Sequence, residues 1–157
     1  MINKLGHAVQ INIMPIDNKY KSGDYIPSRK NYNSNKSYTC KSIMEYKLDR
    51  LFKEYSILLG FKIQVPFGYV ARLYPVKNLI EKYRVMPSVS VVEYYPEDSD
   101  NILAFPVICT YFKDKDKLCT IIPNKAPIAE LVIDVEPPKT ILNVINNYEI
   151  PPYFSED

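Results

Sequence analysis

Residues 59–79 read LGFKIQVPFGYVARLYPVKNL, and this stretch decides the fold class. Residues 61–65 alternate apolar and polar side chains, which is the period of a half-buried β-strand. Residues 66–69, Pro-Phe-Gly-Tyr, have the composition of a turn. A second apolar run, 70–74, stops at Pro75. The stretch therefore predicts two strands around a turn, followed by the tetrapeptide Pro-Val-Lys-Asn.

Further short apolar runs, separated by prolines, predict more strands on both sides of this stretch. The strands that we predict lie near 7–14, 89–92, 102–112, 118–122 and 128–135. Many short strands at regular spacing are typical of a sandwich or a barrel. The sequence therefore predicts a mainly β domain.

Residues 41–59 change period, because their apolar side chains recur every three or four residues, as on one face of a helix. Those apolar residues are Met44, Leu48, Leu51, Phe52, Tyr55, Leu58 and Leu59. Ser42 and Glu45 have the spacing of a capping box, and Gly60 can end a helix in a left-handed conformation. We therefore predict one helix at about 41–59. The alternative is that 55–58 is already a strand.

The length of 157 residues suits one domain, which we predict over 1–139, with a C-terminal tail over 140–157. The arm at 17–40 is polar, basic and rich in Tyr, so a nucleic-acid contact is one interpretation, but a solvated or partner-bound loop is favoured. The net charge of +2 gives no clustered positive field, so we expect no nucleic-acid partner. No apolar run approaches the ~20 residues that span a bilayer, so we expect no membrane partner.

The His and Cys content excludes several kinds of active site. His7 is the single histidine, which leaves almost nothing for a triad or a zinc site, and the three Cys have no metal-ligand spacing. We therefore predict no metal site and no cofactor. Cys109 and Cys119 flank a charged loop almost symmetrically, so a hairpin could join them as a disulfide. In a reducing compartment, however, we expect free thiols.

The region 55–135 resembles the dUTPase / dCTP deaminase superfamily in three segments. Residues 59–69, LGFKIQVPFGY, are similar to the family's TGIKIAIPPGYYG. Residues 72–79, RLYPVKNL, stand at the place of RIAPRSGL, and residues 122–132, IPNKAPIAELV, at the place of VKKGDRIAQLI. The resemblance implies a dUTPase-like β-barrel or jelly roll, here with one added helix at about 41–59. It also implies a trimer with sites between subunits.

The resemblance implies that the phosphate-binding motif is replaced. Val76, Lys77 and Asn78 stand where the family has the Arg, Ser and Gly of Pro-Arg-Ser-Gly. Lys77 and Asn78 are therefore candidate ligand-binding residues only if nucleotide binding is retained.

The other family motifs are not recognisable either. Alignment on Asn101-Ile102 places Tyr95 at the family's water-activating Asp, and Asp98 at the Tyr that stacks under the sugar. No glycine follows Gly68, although the family closes its site with a glycine-rich C-terminal arm. Nucleotide hydrolysis depends on such groups acting together, so we predict no catalytic residues.

These observations favour a non-enzymatic, dUTPase-fold assembly protein that forms a homotrimer and contacts other structural proteins. The many Asn, Lys, Ile and Tyr residues suggest an AT-rich genome, as in many viruses. We therefore expect a viral or phage virion component, structural or capsid-associated, located in the virion or the host cytoplasm. The alternatives are a dUTP-like nucleotide hydrolase and a catalytically dead nucleotide-binding regulator.

Overall fold

A computed structural model describes residues 9–29, 37–110 and 120–147. These ranges contain eleven strands, one α-helix and two 3₁₀ turns. The strands are β1 Asn12–Pro15, β2 Ser28–Arg29, β3 Tyr38–Lys41, β4 Tyr46–Leu48, β5 Glu54–Gln64, β6 Tyr69–Pro75, β7 Val85–Pro87, β8 Val92–Tyr94, β9 Ile102–Cys109, β10 Thr120–Ile122 and β11 Pro127–Val135. Helix α1 is Leu79–Tyr83, and the 3₁₀ turns are Asn18–Lys21 and Pro96–Asp98.

The strands form two antiparallel sheets and a two-stranded ribbon around one core. The first sheet has the order β1-β5-β9-β7, the second β2-β3-β11-β6-β8, and β10 pairs with β4. Strand β9 is apolar along its whole length and turns every second side chain inward: Leu103, Phe105, Val107 and Cys109 are fully buried. The prediction of a mainly β fold is therefore confirmed.

The turn predicted at 66–69 is present, and it carries the chain from one sheet to the other. The Tyr69 N–H donates to the Pro66 carbonyl at 3.1 Å, and Gly68 adopts a positive φ of 89°. Strand β5 before the turn pairs with β1 and β9, whereas β6 after it pairs with β11 and β8. The two strands of the opening stretch therefore lie in different sheets.

The helix predicted at 41–59 is wrong, because this segment forms the end of β3, all of β4 and the start of β5. The apolar residues that suggested one helix face point in different directions: Leu48 and Leu59 are buried, whereas Phe52 is 71% exposed. Pairing of β4 with β10 and of β5 with β9 is long-range and overrides the local period. The alternative of a strand at 55–58 is confirmed.

A bulge at Gly60 bends β5. The register of β5 against β9 shifts between Leu58 and Lys62, and Gly60 has a φ of 84°. Beside the bulge, the Leu58 N–H donates to the Tyr46 hydroxyl at 2.9 Å. The bend wraps β5 around the core, so that its later residues pair with β1.

Most of the other predicted strands are present with shifted ends. Strands β9 and β11 correspond to the predictions near 102–112 and 128–135. The strand predicted near 89–92 is wrong except at Val92, where β8 begins. Strand β1 lies within and just beyond 7–14, of which residues 7 and 8 are outside the described range, and β10 covers the described part of 118–122. The helix α1 was not predicted, because five residues are too few to show a period.

The first part of the arm, 17–29, packs on its own domain. Tyr20 is buried, and its ring meets that of Tyr25 edge-on at 5.0 Å. The Lys125 ammonium lies 3.1 Å from the Asp24 carboxylate. The prediction of an irregular arm over 17–40 is therefore corrected for the described residues, since 38–40 belong to β3.

The cysteines differ from the expectation of three free thiols. Cys40 is free and buried, but Cys109 is disulfide-bonded, so the expectation of a free thiol at Cys109 is wrong. Cys119 lies outside the described residues. No helix among the described residues is long and apolar enough to cross a membrane.

Candidate functional site

An open cleft of about 300 Å³ lies where the chain leaves β6 and enters α1. Its lining combines cationic, polar and apolar side chains from β3, the β6–α1 connection, α1 and β11. The lining residues are Thr39, Val76, Lys77, Asn78, Lys82, Tyr83, Pro127 and Glu130. The tetrapeptide that ends the opening stretch thus supplies three of them.

Val76 anchors the cleft and does not contribute charge to it. Its N–H donates to the Ile128 carbonyl at 3.1 Å, which extends the contact between β6 and β11, and its side chain packs against the core. At this position the family resemblance places an Arg. The apolar, partly buried Val76 side chain carries no charge that could bind an anion.

Lys77 and Asn78, the two candidate residues predicted from the sequence, both line the cleft and are exposed. Asn78 precedes α1, and its carbonyl accepts the Lys82 N–H at 2.9 Å, but its side chain makes no capping hydrogen bond. The helical turn brings Lys82 to the same cleft. Sequence reasoning missed Lys82 because it depends on the short helix.

The opposite wall of the cleft carries a carboxylate. The Thr39 hydroxyl on β3 donates to the Glu130 carboxylate on β11 at 3.1 Å, across a pair of residues that are directly opposed in the sheet. Behind them Cys40 is buried, and burial together with the nearby Glu130 charge raises the pKa of its thiol to about 12. Cys40 is therefore a protonated core residue at neutral pH and not a nucleophile.

Tyr95 and Asp98 stand at positions that the resemblance assigns to catalysis. Here both form hydrogen bonds within the turn that follows β8. The Tyr95 N–H donates to the Asp98 carboxylate at 2.8 Å, and the Asp98 N–H donates to the Tyr95 carbonyl at 2.8 Å. Tyr94 is buried, and its hydroxyl bonds the N–H and carbonyl of Ala104 at 3.1 and 3.3 Å. Asp98 therefore holds the 3₁₀ turn, and Tyr94 ties β8 to β9.

The other carboxylate beside this turn is also paired. The Arg72 guanidinium on β6 lies 2.8 Å from the Glu93 carboxylate on β8 and 3.1 Å from the Asp134 carboxylate on β11. The hydrogen bond to Glu93 is the main cause of a raised Arg72 pKa. The three side chains form a charge ladder across three neighbouring strands.

The cleft and the turn at 95–98 lie at opposite ends of the β6–β8 pair. Ala71 pairs with Tyr94, just before the turn, whereas Lys77 follows Pro75 at the far end of β6. At 3.3 Å per residue, the six residues from Ala71 to Lys77 correspond to roughly 20 Å. No residue of 92–101 lines the cleft. The cleft and the turn are therefore separate surfaces of this chain.

Among the described residues, no group of three or more His, Cys, Asp or Glu side chains is close enough to hold a metal ion. For the whole chain, the absence of a metal site stays a prediction. The charged groups of the cleft can accept hydrogen bonds through Glu130 and attract anions through Lys77 and Lys82.

Comparison with known proteins identifies the fold. No protein-family model matches the sequence, and no curated protein matches it. Among solved structures, the dUTPase of Streptococcus mutans superposes with a TM-score of 0.68 at 12% identity, covering 82% of this chain and 98% of that chain. A point mutant of the Staphylococcus bacteriophage 80alpha dUTPase, with dUpNHpp, gives 0.68 at 16% identity and 96% coverage of both chains.

A third structure, a point mutant of the dUTPase from phage phi11 of S. aureus, gives a TM-score of 0.67 at 13% identity and covers 90% of this chain and all of that chain. That structure reveals how the phage protein coordinates a structural Mg(II) ion. The chain has a dUTPase-like fold. Identities this low show the fold alone.

Proposed function

We propose that this protein is a non-enzymatic, dUTPase-fold assembly protein that forms a homotrimer. We further propose that it serves as a structural or capsid-associated component of a virus or phage particle, and that it acts in the virion or the host cytoplasm with other structural proteins. The phage dUTPases among its structural neighbours support a viral setting.

The observation that carries the non-enzymatic proposal is the use of Asp98 and Glu93 in local structure. Asp98 accepts the Tyr95 N–H, and Glu93 pairs with Arg72. A general base needs a carboxylate that can reach water beside the substrate. At the position that the resemblance assigns to this base, the chain has Tyr95, whose phenol is not basic at neutral pH.

The assembly part of the proposal rests on the apolar tail. The described part of the tail, up to residue 147, extends beyond β11, and Ile141, Leu142 and Val144 are 93–94% exposed. Such side chains are normally covered, because each fully buried one stabilises by about 1.5–3 kcal/mol. A second chain is the cover that we propose, in a closed homotrimer.

A nucleotide-binding regulator is the second candidate. Staphylococcal phage 80alpha dUTPase is described as controlling the transfer of virulence genes. The observation in favour of this candidate is that Lys77 and Asn78 both face the cleft and are exposed. In this case the protein would bind dUTP without hydrolysing it.

The test combines turnover, binding and mass on the purified chain. With dUTP and Mg²⁺ we expect no pyrophosphate release above a no-protein control, no heat of nucleotide binding, and a mass by light scattering of about three times 18.2 kDa. Turnover above roughly 1 s⁻¹, within the usual enzyme range, would refute the proposal. Binding without turnover, lost in a Lys77→Ala/Asn78→Ala variant, would establish the regulator instead.

A further inference from the structure

The turn between β4 and β5 exposes an aromatic side chain whose backbone is strained. Phe52 is 71% exposed, and its φ of 61° lies in the left-handed region that favours glycine. A positive φ is an outlier for a bulky L-residue, and such strain is concentrated at functional sites. Because most of the Phe52 side chain is in solvent, packing within the chain does not explain why this position carries a large apolar residue.

The surrounding structure holds this turn in place. The Phe52 N–H donates to the carbonyl of Cys109, at the end of β9, at 2.8 Å. The Tyr55 hydroxyl donates to the Asp49 carboxylate at 2.7 Å, and the Lys53 ammonium lies 4.9 Å from the centre of the Tyr55 ring. These contacts fix the turn on both sides of Phe52, so its side chain is displayed on a rigid support.

Other apolar side chains that reach solvent lie at the same end of the first sheet. Leu51, beside Phe52, is exposed. Ile108 on β9 is partly exposed and pairs with Glu54 on β5 and with Met86 on β7, and Met86 is 41% exposed. We call Leu51, Phe52, Met86 and Ile108 the apolar patch. Exposed apolar patches that are rimmed by polar residues mark interaction sites.

Two charged side chains flank Phe52 at equal distances along the chain. Arg50 lies two residues before Phe52 and Glu54 two residues after it, and both are exposed. Within the described ranges neither of them has an ion-pair partner. Since one flank is positive and the other is negative, two copies of the turn that meet in antiparallel orientation have complementary charges.

We propose that the apolar patch binds a second copy of this chain about a twofold axis that runs between the two Phe52 rings. Such a contact is self-complementary, because Arg50 of each copy faces the partner's Glu54. The two rings then meet as an aromatic pair, which adds to the stabilisation from the buried apolar area. The patch shares no residue with the cleft or the tail, so this contact is additional to the proposed homotrimer and joins two trimers into six chains.

The size of the patch indicates a weak contact. Four residues on each side are far fewer than the ~20–30 of a standard interface, so the twofold contact forms at high protein concentration and not at tens of micromolar. The proposed homotrimer is therefore the expected species in dilute solution. In a particle, where other contacts hold neighbouring copies together, the effective concentration is on the order of millimolar, which is enough for a contact of this kind.

Sedimentation equilibrium of the full chain, from about 10 μM to about 1 mM, tests the contact. We expect three chains at the low end and an increase toward six at the high end. Phe52→Ala should raise the association midpoint by about tenfold or more. The matched control is Phe67→Ala, which removes another exposed aromatic side chain, from the turn at 66–69, and should leave the midpoint unchanged. Phe52→Gly removes the ring and relieves the left-handed strain, so it should weaken association while the melting temperature stays the same or rises.

Charge reversal tests the twofold geometry. Arg50→Glu and Glu54→Arg should each associate more weakly than the wild type, because like charges then face each other across the axis. An equimolar mixture of these two single variants has opposite charges at both facing positions, so it should associate within about threefold of the wild type. The double variant Arg50→Glu/Glu54→Arg should do the same on its own.

Several results would overturn the inference. One is a wild-type chain whose mass stays constant up to the highest concentration; another is a Phe52→Ala variant that associates as well as Phe67→Ala. A mixture of the two charge-reversed variants that associates no better than either of them alone would do the same. These results leave the proposed function intact, since the homotrimer is measured at tens of micromolar. Turnover of dUTP refutes that function and leaves the twofold contact standing.

Discussion

Replacement of Gly60 by Ala should destabilise the protein more than the same change at any other described glycine. Gly60 forms the bulge of β5 with a φ of 84°, and a Cβ at this position would lie 2.5 Å from the Ile43 Cγ2 atom. Ile43 is itself buried, so it has little room to move. The substitution therefore adds backbone strain and a clash in the core.

The magnitude follows from these two terms. A left-handed conformation costs an L-residue about 1–2 kcal/mol, and overpacking a core typically costs about 1–3 kcal/mol. Gly60→Ala should therefore lower the free energy of unfolding by about 2–5 kcal/mol. In a domain of this size, each 1 kcal/mol lowers the melting temperature by about 2–4 °C.

Two other glycines separate the contribution of the backbone strain from that of the clash in the core. Gly68 has a φ of 89° but nothing within 4 Å of its Cβ position, so Gly68→Ala should show the strain of about 1–2 kcal/mol alone. Gly23 has open space and no positive φ, so Gly23→Ala should be neutral or stabilise by about 0.4–1 kcal/mol. Urea denaturation at one protein concentration measures all three. A loss at Gly60 no larger than at Gly68 would refute the reasoning.

Three further predictions concern the thiols and the tail. Titration of the unfolded, unreduced protein should detect one reactive thiol per chain, because Cys109 is disulfide-bonded and Cys40 is free; a count of three would contradict this. The Cys40 pKa of about 12 lies above its ordinary 9.0, so the unfolded state loses the proton first, and stability should fall between pH 9 and 12 by up to about 1.4 kcal/mol per pH unit. Denaturation of Cys40→Ala, which lacks this contribution, should show a shallower fall, and an equal slope in both proteins would argue against it. Removal of 140–157 should weaken the trimer in light scattering, because the exposed apolar residues of the tail lose their proposed cover; an unchanged mass at tens of micromolar would count against an exchanged tail.

The candidate site was predicted in part. Lys77 and Asn78 are the second and third residues after Pro75, and the resemblance, which places them at the Ser and Gly of Pro-Arg-Ser-Gly, was what singled them out. Thr39, Lys82 and Glu130 joined them only through the pairing of β3 with β11 and the short helix after Asn78. The sequence signal for these three residues is weak, since one turn of helix and one pair of opposed residues have no period to detect.

The sequence by itself determined the alternation of β5 and β6, the turn between them and the run of short strands, because inward and outward side chains follow the local period of two. The tertiary structure alone decided the outcome at 41–59. There the apolar spacing of Met44, Leu48 and Leu51 matches a helix, yet β4 pairs with β10 and β5 with β9. Local spacing cannot report a hydrogen bond to a strand far along the chain, and such pairings bury Leu48, Ile57 and Leu59 in the common core.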